Sequence, residues 1–132
     1  MNSVIELHDS EVGAISEVEG FVVVDFTPAY IHQSAGRPGY DPGQGVVQQA
    51  RLFLKRGMVQ GQRPVLPSTL RDGHIYLCGE RHINSIPIPL EMTGEVELRL
   101  EFNDIEEVVI TARGARLELI GKAREVDEFP GT

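Results

Sequence analysis

The sequence contains no tryptophan and only one cysteine, Cys78, and this scarcity excludes several kinds of site. Without tryptophan, the protein has no indole ring to anchor a sugar or a nucleobase. A lone thiol cannot close an intramolecular disulfide or build a multi-cysteine zinc site. The domain is therefore expected to depend on its hydrophobic core, and its cysteine usage fits a reducing compartment.

Long apolar runs are also missing from the chain. No segment approaches the roughly 20 consecutive apolar residues that a transmembrane helix needs. Residues 1–6 lack the basic and apolar regions of a secretory signal. We therefore expect a cytoplasmic protein with no membrane partner.

Positive charge is scarce, because 12 Lys and Arg stand against 20 Asp and Glu and give a formal net charge of −8. Phosphate backbones and anionic membrane surfaces attract basic proteins, so nucleic acid is not an expected partner. Half of the acidic residues lie between Glu95 and Glu128. They predict a solvated sheet face or, alternatively, an acidic patch for a basic partner.

The apolar residues follow the period of β-strands. In residues 95–102 charged and apolar side chains alternate strictly, which predicts a strand with one buried face. Residues 21–26 are apolar on both faces and predict a central strand, joined through Glu19-Gly20 to a strand at 12–18. About eight or nine such short strands predict one all-β domain over residues 1–132, an antiparallel β-sandwich or β-barrel with at most one short helix.

The last third of the chain predicts a meander of three strands. Turn signals at Asn103-Asp104 and at Arg113-Gly114 separate its strands. Upstream, Ile86–Leu90 predicts an extended edge segment with its apolar side chains inward, because alternate residues are prolines. Residues 45–57 fit a helix or a strand, and we favour a strand or a bulged strand because both neighbouring regions have β patterns.

Residues 34–45 form the strongest predicted loop, since four glycines and two prolines among these twelve residues cannot support regular structure. They lack the ending and the strand–helix context of a phosphate-binding loop. The segment predicts either a mobile connector or a binding-site lid. As a lid it would close a small-ligand cavity, with Tyr30, His32 and Tyr40 as polar contacts.

Residues 74–82, His-Ile-Tyr-Leu-Cys-Gly-Glu-Arg-His, carry the most suggestive chemical pattern. A turn signal at Asp72-Gly73 precedes them, and a single strand would project every second residue from one face. Cys78, Glu80 and His82 would then be suitable ligands for zinc or another divalent transition metal.

A fourth metal ligand would have to come from His32 or from the His8-Asp9 pair. The competing interpretation is a solvated strand face with no cofactor, because the spacing matches no established metal motif. Catalytic residues stay unassigned, since the chain has no Gly-x-Ser-x-Gly elbow. His74 or His82 would be a poor partner for a Cys78 nucleophile on the same strand without a third group to orient it.

Residues 4–12, Val-Ile-Glu-Leu-His-Asp-Ser-Glu-Val, resemble the N-terminal Leu-His-Asp-Ser/Ala element of several small uncharacterised bacterial domain families. Some of those families are similar to toxin-immunity proteins. The resemblance implies a small intracellular β-rich domain and transfers no catalytic residue. From the residues themselves, Asp9-Ser10 predicts a turn, with His8 as a surface or capping residue.

Three functions are compatible with these observations. The leading interpretation is a non-enzymatic protein-interaction or accessory domain, immunity-like, that uses the acidic face or the 34–45 loop. Self-association is also expected, because exposed β edges pair readily. The alternatives are a metal-binding protein or metal-dependent enzyme centred on residues 74–82, and a small-ligand binder near the 34–45 loop that includes His8 and Asp9.

Overall fold

A computed structural model describes residues 1–103 and 107–129, which form ten β-strands and no helix. The all-β prediction is confirmed, with one or two strands more than expected. No helix among the described residues is long and apolar enough to cross a membrane. The strands are β1 Asn2–Glu6, β2 Glu11–Val18, β3 Phe21–Ser34, β4 Gly43–Lys55, β5 Met58–Gln60, β6 Ser68–Leu77, β7 Glu80–Ile83, β8 Ser85–Ile88, β9 Glu91–Phe102 and β10 Glu107–Phe129.

All strand pairings are antiparallel, in the order β2-β6-β9-β10-β4-β3-β1-β8, with β5 beside β10 and β7 beside β6. β2 also pairs with β3, so the sheet curls back on itself. The joint between β2 and β6 consists of only two residue pairs, Glu11 with Thr69 and Val12 with Ser68. The sheet is therefore strongly curved but is not a closed barrel.

One hydrophobic core fills the inside of this curved sheet. β9 shows how the alternating pattern builds it, because the apolar residues at 96, 98, 100 and 102 are buried while the charged ones between them face outward. The prediction for residues 95–102 is confirmed. The largest fully buried side chains come from all parts of the chain: Phe26, Phe102, Ile5, Leu7, Ile31, Leu52, Leu54, Leu70, Ile75, Ile86, Leu98 and Leu100.

The hairpin of β2 and β3 agrees with the prediction. Glu19 and Gly20 both have positive φ, 47° and 85°, which suits a two-residue hairpin turn. β3 lies between β2 and β4 and is central, as its apolar sequence predicts. Its register against β4 shifts between Phe26 and Ala29, around Pro28, which has no N–H to donate to a ladder.

Two further segments agree with their predictions. Residues 45–57 are a strand, since β4 extends over Gly43–Lys55, and the favoured interpretation is confirmed. Ile86 and Leu90 are buried and Ile88 packs against the core, while β8 ends the strand order as an edge.

Two predicted turns are wrong. β10 passes through Arg113 and Gly114 with only a register shift, so the predicted meander consists of two long strands, β9 and β10. Asp72-Gly73 lies inside β6, where a Cβ on Gly73 would lie 2.7 Å from the Arg99 carbonyl oxygen. This glycine therefore allows close strand approach rather than chain reversal. Of the turn at Asn103-Asp104, Asp104 lies outside the described residues.

Candidate functional site

The segment 74–82 is a hairpin, so the prediction of a single strand is wrong. β6 ends at Leu77, β7 begins at Glu80, and Cys78 and Gly79 form the turn with φ of 49° and 84°. Because the chain reverses there, the exposed Cys78 thiol shares no strand face with Glu80 and His82. The residue pattern hides this turn because a cysteine occupies a left-handed position that usually favours glycine or asparagine.

The three predicted metal ligands therefore do not project from one strand face. His82 Nε2 lies 3.7 Å from Glu80 Oε1, and the Glu80 side chain is largely exposed. Within residues 1–103 and 107–129, no group of three His, Cys, Asp or Glu side chains is arranged to hold a metal ion. The structure therefore does not join His8 or His32 to Cys78, Glu80 and His82 in such a group.

The loop between β3 and β4 comprises residues 35–42 and is shorter than the predicted 34–45. Two hydrogen bonds within the loop join Arg37 to Asp41. The Asp41 N–H donates to the Arg37 carbonyl at 2.8 Å, and the Asp41 carboxylate accepts the Arg37 N–H. The Arg37 guanidinium lies 4.4 Å from the centroid of the Tyr40 ring. The loop is therefore compact and bonded to itself.

This loop folds onto the outer face of β3, where it covers His32. The His32 side chain is fully buried, and its Nδ1 accepts a hydrogen bond from the Gly39 N–H. Burial lowers the pKa of His32 because desolvation penalises the imidazolium form, so the ring is neutral at pH 7. Tyr30, two residues earlier on the same face, packs over Gly45, where a Cβ would overlap its ring.

His8 and Asp9 lie in the turn that follows β1, and the turn prediction is confirmed. Asp9 has a φ of 77°, and His8 Nδ1 lies 3.3 Å from Asp9 Oδ2, with both side chains 59% exposed. The buried Ser10 hydroxyl ties this turn to the sheet. It donates to the Glu6 carbonyl at 2.6 Å and accepts the Tyr30 N–H at 2.9 Å.

Glu6, which no sequence motif singled out, lies at the centre of this corner. It is the cross-strand partner of Tyr30, and its Oε1 lies 3.7 Å from where a Cβ on Gly39 would be. Burial raises the pKa of Glu6, the nearby Asp9 carboxylate raises it further, and His8 opposes them. The structure thus places Tyr30, His8 and Asp9 near Glu6, whereas His32 lies beneath the loop and Tyr40 contacts Arg37 within it.

We expect Glu6→Gln to increase the free energy of unfolding at pH 7 and to lose this gain as the pH falls to about 4. Because the folded-state pKa of Glu6 is raised, ionising its carboxyl costs stability above that pKa, and the cost disappears below the unfolded-state value. Urea denaturation at both pH values measures the difference. Glu19→Gln, at an exposed hairpin turn, is the control, and a Glu6→Gln protein less stable than wild type at pH 7 would contradict the expectation.

A second group of residues lies on the outer face of β2, β3, β4 and β10. The rings of Phe21 and Phe53 meet edge to face with centroids 6.3 Å apart, and the Arg116 guanidinium lies 4.3 Å from the Phe53 centroid. Val23, opposite Phe53, is only 6% exposed although it faces away from the core. We call these four residues together with Val18 the aromatic patch.

Ion pairs border the aromatic patch. Arg51 Nε donates to Asp25 Oδ1 at 2.7 Å, and Arg116 Nη1 donates to Glu118 Oε2 at 3.1 Å. The sequence signal for the patch is Phe53, which breaks the alternation of β4 because an apolar ring occupies a position on its solvent face.

The predicted acidic face of β9 and β10 is a network of ion pairs. Arg99 donates to Glu97 at 2.9 Å and to Glu107 at 2.8 Å. A longer contact of 3.7 Å joins Arg113 to Glu95. Arginine side chains therefore compensate much of the acidic charge on this face, which weakens its case as a docking patch for a basic partner.

Comparison with known protein families, curated proteins and solved structures finds no match for this chain. No relative therefore transfers a substrate, a partner or a catalytic residue to it. The resemblance of residues 4–12 to immunity-like families stays a prediction. The surface chemistry of the chain is the basis on which its function is inferred.

Proposed function

We propose that this protein is a non-enzymatic protein-interaction domain that binds a protein partner through the aromatic patch. The observation that carries the proposal is the presence of phenylalanines on both sides of the sheet. Phe26 and Phe102 are fully buried in the core, whereas Phe21 and Phe53 lie on the outer face. Aromatic side chains and arginine are enriched at the energetic centres of protein interfaces, and a merely solvated sheet face does not need them.

The geometry of the patch defines the chemistry of its partner. A shallow depression of about 410 Å³ lies over it, and Val18 at its margin is 51% exposed. The Arg116 side chain packs on Phe53 and is 46% exposed. Its guanidinium group can therefore donate hydrogen bonds to a second carboxylate besides that of Glu118. We expect the partner to place an apolar side chain in the depression and a carboxylate beside Arg116.

This proposal includes the immunity-like function of the leading interpretation of the sequence, because an immunity protein acts by binding another protein. Self-association through the same patch is the alternative occupant. Sedimentation of the purified wild-type chain distinguishes the two, since a second copy would make the molecular mass depend on concentration and on Phe53.

We expect Phe53→Ser to weaken binding of the partner about thirtyfold or more, because removing a central aromatic hot-spot residue costs about 2 kcal/mol or more. The partner would be identified by affinity capture, purified, and titrated against the wild type and the variant. Ile83→Ser is the matched control, since Ile83 is 61% exposed and lies on β7, outside the patch. A partner that binds wild type and Phe53→Ser equally would overturn the proposal.

A further inference from the structure

An open cleft of about 530 Å³ lies on the outer face of β5, β6, β9 and β10, away from the aromatic patch. Its floor is a row of cross-strand partners, in which Tyr76 pairs with Glu97, Glu97 with Thr111, and Thr111 with Met58. Directly paired residues project from the same side of a sheet, so these four side chains line one surface. The cleft therefore combines an aromatic ring, a carboxylate, a hydroxyl and a flexible apolar side chain.

Three cations surround one end of this cleft, where it meets a neighbouring depression. Arg56 and Arg113 line both, and Lys55 lines the second. Arg56 is held in place by its backbone, because it has a φ of 52° and its N–H donates to the Gly20 carbonyl at 2.8 Å. Lys55, the last residue of β4, and Arg56, which follows it, therefore line the second depression together with Arg113 of β10.

Two carboxylates also line these depressions, Glu95 in both and Glu97 in the cleft, and they neutralise the cations only in part. In the part of the chain that the structure describes, neither Lys55 nor Arg56 forms an ion pair, and Arg113 has only the 3.7 Å contact with Glu95. Glu97 is already bound by Arg99 at 2.9 Å. The three cations of the second depression face one carboxylate, Glu95, so its lining has a formal net charge of +2 in a chain of net charge −8, and an anion would relieve the repulsion among them.

We propose that this cleft binds a small organic phosphate. The phosphate group contacts Arg56, Arg113 and Lys55, where the planar guanidinium groups can donate paired hydrogen bonds to its oxygens. The organic group packs against Tyr76 and Met58. The cleft has the volume typical of small-molecule sites, about 300–1,000 Å³, whereas the overall negative charge disfavours a polyanion.

Calorimetric titration of the full chain with AMP, glucose 6-phosphate, inorganic phosphate and adenosine tests this site. We expect one phosphate ester to bind with a stoichiometry of one and an affinity that falls with added salt. The double variant Arg56→Gln/Arg113→Gln should raise its Kd by about tenfold or more, because two charge-assisted contacts are lost. Tyr76→Ser should weaken the ester but leave inorganic phosphate unchanged, and Arg124→Gln on the exposed part of β10 should change neither.

Four results would overturn the proposal. The first is no binding of any phosphate compound at about 1 mM, the weak limit of a specific small-molecule site. The second is equal affinity of wild type and the double variant. The third is adenosine binding as tightly as AMP, which would remove the phosphate from recognition. The fourth is an affinity for inorganic phosphate equal to that for either ester, which would show that the organic group contributes nothing to binding.

Discussion

Phe26→Ala is expected to lower the free energy of unfolding by about 3–5 kcal/mol. The Phe26 side chain is fully buried in β3, with Val12 of β2 and Ala50 of β4 as its cross-strand partners. Three hydrogen-bonded strands cannot collapse into the space that the ring leaves, so the loss of apolar transfer adds to the cost of a cavity. Urea denaturation, with the m-value checked for constancy, measures the loss.

Phe53→Ala is the matched control because it removes the same ring from the opposite face of the sheet. We expect a loss of only about 1 kcal/mol, since the ring gives up its edge contact with Phe21 and its cation contact with Arg116 but leaves no buried cavity. Equal losses for the two variants would show that Phe53 belongs to the core. The aromatic patch, and the protein-interaction function proposed for it, would then be wrong.

Gly43→Ala is expected to destabilise the protein by about 2–3 kcal/mol, although it adds only one methyl group. A Cβ at this position would overlap the carbonyl oxygen of Gln33 in the neighbouring β3 strand, and a backbone atom cannot rotate away as a side chain can. Gly43 is the first residue after the 35–42 loop, so the strain would act where this loop joins β4. The hydrogen bond from the Ser34 hydroxyl to the Pro42 carbonyl, 2.8 Å long, lies beside it. Thermal and urea denaturation both report the loss.

Gly121→Asn provides the control for this prediction. Gly121 has a φ of 73°, and no atom lies within 4 Å of where its Cβ would be, so asparagine can adopt the same left-handed conformation. We expect a change within about 0.5 kcal/mol. If Gly43→Ala is as well tolerated as Gly121→Asn, the register in which β3 and β4 approach at Gly43 is incorrect.

The parts of the fold that the sequence predicted share one property, a pattern confined to a few neighbouring residues. The alternation at 95–102 identified the buried face of β9, and Glu19-Gly20 identified a hairpin turn. The turn signals that failed were also short, because a glycine after a charged residue marks either a reversal or a close strand contact. Gly73 and Gly114 both lie within strands, and only the neighbouring strand shows why.

The candidate sites were less predictable because their residues come from distant segments. The metal hypothesis assumed that Cys78 continued a strand, and its left-handed φ of 49° reverses the chain there instead. Phe53 was visible as an exception to alternation, but its contact with Arg116 depends on pairing between β4 and β10. Glu6 carried no signal at all, since only its pairing with Tyr30 brings it beneath the loop.

The amino-acid order alone determined that this protein is built from antiparallel strands around one apolar core, without disulfides. That much follows from local chemistry, because the side on which a strand residue points depends only on its position in the strand. The tertiary structure decided strand order and register, and through them which charges and rings meet at each surface. Those choices depend on packing free energy summed over residues far apart in the chain, as where Phe53 meets Arg116.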